Sequence, residues 1–142
     1  MSTDKKIAED FTLDENIKEA MLSYADDNKL TCAQAHSLAG KFEVSPLVIG
    51  HSADVLSIRL VQCQLGLYGY PGKKGWDAAG VANLPEPEAF ITALKASVDV
   101  ENGMNCLDLW HLAASHNISR MQAGYIAEKA GIRIMNCQLG AF

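Results

Sequence analysis

The sequence predicts a mainly α protein with short β elements, organised as two tandem copies of one small helical module. Three observations carry that prediction. Residues 17–68 align with residues 91–142 without a gap, at a constant offset of 74, and 15 of the 52 paired positions are identical. Apolar residues recur every three and four positions in three segments of each copy, the period of an amphipathic helix. Each copy then closes on a run with β-branched residues that ends in the same four letters, Cys63-Gln64-Leu65-Gly66 and Cys137-Gln138-Leu139-Gly140. An ungapped match of this length marks internal repetition.

The first helix of copy one is expected over 14–27, with Ile17, Ala20, Met21 and Tyr24 on one face and Asp14 or Thr12 as its cap. Its counterpart is expected over 88–98, with Phe90, Ile91, Leu94 and Val98 inward. A second helix follows at 32–42. Thr31 and Gln34 have the spacing of a capping box, and Ala35, Leu38, Ala39 and Phe42 form the inner stripe. In copy two Asn105 and Asp108 take the capping places, and Leu109, Leu112 and Ala113 the inner ones. The third helix is expected over 46–56, with Ser45 as cap and Pro46 at its first position, and over 120–130, with Ser119 and Gln122 as a capping box and Gly131 as its stop. Gly50 and Gly124 interrupt these helices at the same place, which calls for close approach of another helix. Strands are expected over 58–65 and 133–139. Between the copies, 69–88 holds four glycines and three prolines and reads as a connecting loop. The domains therefore read as 12–75, a linker over 76–87, and 88–142. Two helices joined by a tight turn and packed on an earlier one make a helix-turn-helix.

The segments 31–56 and 105–130, with Val44-Ser45-Pro46 and Ile118-Ser119-Arg120 leading into their second helices, resemble the winged-helix/helix-turn-helix superfamily of transcription regulators. The resemblance implies tandem duplicated, winged-helix-like modules whose third helices enter the major groove of double-stranded DNA. It implies DNA contacts from Ser45, His51, Ser119, Arg120, Gln122 and Tyr125, with Arg120 and Gln122 suited to purine edges. Lys73 and Lys74 fall where a wing tip would, and Lys129 adds charge to the same helix as Arg120. Arg59 and Arg133, identical in the two copies, read either as phosphate contacts or as ion-pair partners of Asp54 and Glu128. Gln64 and Gln138 read either as hydrogen-bonding groups between copies or subunits, or as solvated edge residues.

Composition bounds the function. The chain is 49% apolar and 20% charged, as folded globular proteins are, and its net charge of −5 is spread over both halves. No apolar run approaches the roughly 20 residues of a membrane span, and the first residues lack a signal-peptide core, so a cytoplasmic address is expected. Cys32, Cys63, Cys106 and Cys137 form no close pair, and with His36, His51, His111 and His116 they lack the spacing of a zinc module. There is no phosphate-binding loop, nucleophile elbow or zinc-protease motif, so neither enzyme activity nor a cofactor is expected. Leu65, Leu67, Tyr68, Ala141 and Phe142, apolar and beyond the helices, suggest a homo-oligomer, unless the copies cover them within one chain. The function implied is a DNA-binding transcriptional regulator; the alternative is a non-catalytic protein-interaction or dimerisation module that keeps the fold without binding DNA.

Overall fold

A computed structural model describes residues 11–70, 75–98 and 103–141. The chain is mainly helical, with one small two-stranded sheet, and divides into two compact units. One is Met1–Cys63 with Gln138–Phe142, and the other is Gln64–Cys137. The division falls after Cys63 rather than near residue 75, and the last residues of the chain belong to the first unit.

In the first unit, helix α1 (Glu15–Tyr24) starts where Asp14 accepts hydrogen bonds from the Asn16 and Ile17 amides at 2.8 and 3.1 Å. It buries Ile17 and Met21. A short strand β1 (Lys29–Thr31) leads into α2 (Cys32–Phe42). The Thr31–Gln34 capping box is fully formed: the Thr31 hydroxyl accepts from the Gln34 amide, and the Gln34 side chain accepts from the Thr31 amide. Two amides that the helix leaves without partners are thus satisfied. The chain turns at Glu43, in left-handed conformation with φ 54°, and enters α3 (Pro46–Val55). Ser45 makes no side-chain cap; Pro46 sets the helical start by its fixed φ. Both α2 and α3 pack on α1 and on each other, with Met21, Leu30, Ala35 and Ile49 fully buried among them.

After α3, strand β2 (Arg59–Val61) is shorter than expected. It pairs in parallel with β1, Leu30 opposite Leu60 and Thr31 opposite Val61. A wing would need an antiparallel hairpin, whereas the partner of β2 is the segment that precedes α2.

In the second unit, the stretch expected as a loop contains a four-residue helix α4 (Trp76–Ala79) and a 3-10 turn (Val81–Asn83). Three longer helices follow: α5 (Glu88–Ser97), α6 (Cys106–Ser115) and α7 (Arg120–Lys129). Asn105 caps α6 by accepting from the Asp108 amide at 2.8 Å, and Ser119 caps α7 by accepting from the Gln122 amide at 3.1 Å. The reciprocal half of that second box is replaced: the Gln122 side chain reaches the Pro85 carbonyl at 3.4 Å. The strand expected over 133–139 reduces to one parallel bridge between Met104 and Ile134.

Several local features recur 74 positions apart. Helices α3 and α7 start and stop at that offset, and left-handed residues recur at Glu43 and Asn117, Ser57 and Gly131, and Gly66 and Gly140.

The two mid-helix glycines are explained by the backbone of a non-helical turn, not by another helix. A Cβ on Gly50 would lie 2.8 Å from the Leu139 carbonyl carbon and closer still to its oxygen. A Cβ on Gly124 would meet the Leu65 carbonyl in the same way, and would lie 3.0 Å from the Leu65 Cβ. Each leucine is fully buried. The segment following α7 thus lies on α3, and the segment following β2 lies on α7. Because the obstructing atoms are backbone, they cannot swing aside as a side chain could.

Substitutions to alanine should therefore move stability in opposite directions at the two notch glycines and at Gly40. Gly50→Ala gains at most about 1 kcal/mol of helix propensity, but overpacking costs typically 1–3 kcal/mol, with backbone clashes at the upper end. A net loss of about 2 kcal/mol is expected, and the same for Gly124→Ala. Gly40→Ala in α2, where a Cβ would meet nothing within 4 Å, should gain about 0.5–1 kcal/mol. Urea-denaturation midpoints check both signs.

Candidate functional site

The side chains singled out for DNA contact fall on two helices that differ in chemistry. Helix α3 exposes two apolar side chains, Leu47 at 42% and Val55 at 48%, beside the carboxylate of Asp54. Ser45 is exposed ahead of it, and His51 is half-buried, with the Phe11 ring edge-on at 5.5 Å. No long polar donor projects from this helix.

Helix α7 carries the polar set, and each member is engaged within its own unit. The Arg120 guanidinium stacks over the Trp110 ring, 3.6 Å from its centroid, and its Nη1 donates to Gln64 Oε1 at 2.7 Å. Gln64 therefore serves as a hydrogen-bond acceptor, one of the two roles open to it from sequence. One helical turn on, Tyr125 meets the Trp76 ring at 5.8 Å in an edge-on arrangement. The Lys129 ammonium pairs with Glu86 at 2.8 Å. Together with the Gln122–Pro85 contact, residues 84–87 run along α7 like a strap. A groove of about 230 Å³ lies between this strap, α5 and α7, with Val81, Ile91, Tyr125 and Ile126 among its apolar lining.

Arg59 and Arg133 are exposed. Arg59 lies opposite Lys29 in the β1–β2 ladder, and both are exposed, so two cations stand side by side there. Lys73 and Lys74 lie outside the described residues. Arg120 and Lys129 occupy opposite ends of α7, which sets them about 13 Å apart along the axis at 1.5 Å per residue.

Cys32, Cys63 and Cys106 are buried, and Cys137 is half-buried. The Tyr68 hydroxyl lies 4.0 Å from the Cys137 sulfur. Among the described residues, no three His, Cys, Asp or Glu side chains converge on a position that could hold a metal ion. No described helix is long and apolar enough to cross a membrane.

Sequence reasoning missed the strap and the two tryptophans that hold α7's side chains. Pro85-Glu86-Pro87 is the signal the sequence offers, since prolines on both sides disfavour a helical Glu86. No family model matches this chain, and no curated protein or solved structure matches it significantly.

The Glu86–Lys129 pair is open to solvent, and each partner shifts the other. The Lys129 hydrogen bond and charge hold the Glu86 carboxyl below its usual 4.5. The same contact raises Lys129 above its usual 10.5. A lowered carboxyl pKa adds stability above the unfolded value, lost as pH falls through the folded one; a raised lysine pKa adds stability that is lost as pH rises through its folded value. Lys129→Met should therefore move the Glu86 titration upward toward 4.5, as followed by carboxyl-carbon NMR. An unchanged Glu86 titration would mean that the pair does not form in solution.

Proposed function

We propose that the protein is a non-catalytic protein-interaction or dimerisation module, built from two tandem helix-turn-helix copies that keep the fold without reading DNA. The observation that carries this reading is the engagement of α7's polar side chains. Arg120, Gln122, Tyr125 and Lys129 are held by Trp110, Gln64, Pro85, Trp76 and Glu86. A side chain already bonded within its own unit must give up those contacts before it can reach a base edge or a phosphate. Helix α3 adds support, because exposed Leu47 and Val55 suit an apolar partner surface better than a polyanion. The net charge of −5 works in the same direction. The matching bounds of α3 and α7 and the repeated left-handed positions support the tandem reading.

A second reading, a DNA-binding transcriptional regulator, draws on exposed Arg59 and on Lys29 beside it. It places contact on the β1–β2 surface rather than on the third helices.

Titration of labelled random genomic duplexes separates the two. The interaction-module reading predicts no saturable binding at low salt. Binding that weakens steeply as salt rises would favour the DNA reading, and Arg59→Ala should then flatten the salt slope by about one unit. Sedimentation at micromolar concentration decides between forms of the module: twice 15.3 kDa means self-pairing, and 15.3 kDa means a different protein as partner.

A further inference from the structure

The Cys-Gln-Leu-Gly run has a structural task that neither functional reading uses. In the second unit it is bound residue by residue. Gln64 accepts from Arg120 at 2.7 Å. The Leu65 side chain is fully buried, and its carbonyl both faces the bare Gly124 and accepts from the Trp76 indole at 2.8 Å. Gly66 then turns the chain at φ 83°, where a Cβ would strike the Trp76 ring and lie 2.7 Å from the Met121 sulfur. In the first unit Leu139 is fully buried, its carbonyl faces the bare Gly50, and Gly140 turns at φ 72°.

A helix that lacks one side chain, a leucine whose carbonyl enters the gap, and a left-handed glycine after it make a complementary pair. Each requirement selects. Any larger residue at 50 or 124 closes the notch. Any residue other than glycine after the leucine carries the cost of a left-handed turn, and at position 66 it also collides with the tryptophan.

We infer that each glycine notch is a recognition site for a Gln-Leu-Gly turn, and that the amino-terminal and carboxy-terminal halves of the chain are thereby each other's non-covalent partners. The amino-terminal half supplies the segment bound on α7, and the carboxy-terminal half supplies the segment bound on α3. Each compact unit therefore contains residues from both halves. The inference stands apart from the choice between DNA and protein as the outside partner, since it rests on contacts within each unit.

The test uses the full chain with a specific protease site inserted between Lys73 and Lys74. After native cleavage the nicked protein should keep the particle mass of the uncut chain by light scattering. Its urea midpoint should fall on dilution, as a bimolecular complex requires, while that of the uncut chain should not. Leu65→Ala and Leu139→Ala, milder than a polar change, should each weaken association of the nicked halves at least tenfold. Leu22→Ala, on the exposed side of α1, should leave it within twofold. Separation of the halves on cleavage without denaturant would overturn the inference. So would a concentration-independent midpoint, or leucine variants that associate as tightly as the parent.

Discussion

A backbone carbonyl can rest against the barrel of an α-helix only where the helix carries no side chain. Gly50 and Gly124 supply that gap, and the carbonyls of Leu139 and Leu65 occupy it. Much else follows from this single constraint. Helices α3 and α7 accept a glycine in mid-helix, at a cost of up to about 1 kcal/mol each. The leucines gain complete burial, a contribution of about 1.5–3 kcal/mol each. The run around Leu65 must then reach α7, which draws 64–70 into the second unit and ends the first at Cys63. The run around Leu139 belongs for the same reason to the first unit.

The same packing determines what α7 can do. With Leu65 seated on Gly124, Gln64 falls within reach of Arg120, and Trp76 within reach of both the Leu65 carbonyl and Tyr125. The chain then continues through the 3-10 turn to Pro85 and Glu86, which engage Gln122 and Lys129. A helix whose residue types suit a DNA groove is thus bound along its length by its own unit. Helix α3 has no arginine, lysine or glutamine and leaves Leu47 and Val55 in solvent. The functional proposal grows from this contrast between one engaged polar helix and one bare apolar helix.

Local chemistry made much of the fold legible. The Asp14 cap, the Thr31–Gln34 box, Pro46 at a helix start and the Asn105 and Ser119 caps are short-range interactions, and each helix begins where its cap predicts. The helical spacing runs one residue before α1 and three beyond it, and one residue beyond α3, α5 and α7. The expected strand over 58–65 outruns β2 because apolar residues there also suit a turn buried against a helix, which is what Leu65 is part of. The partner of β2 could not be read at all, since parallel pairing with 29–31 depends on a contact 30 residues away. The glycines announced a close approach, but periodicity does not say which element approaches. For the candidate site, residue types on α7 were visible, whereas their partners at 64, 76, 86 and 110 depend on tertiary folding.

The central claim is that the tails are paired crosswise with the helix glycines. Nuclear Overhauser spectroscopy on protein labelled only at glycine and leucine tests it directly. The account predicts cross-peaks from the Gly50 α-protons to Leu139 and from the Gly124 α-protons to Leu65. Cross-peaks from Gly50 to Leu65 and from Gly124 to Leu139, each tail on the helix nearest before it in sequence, would contradict it.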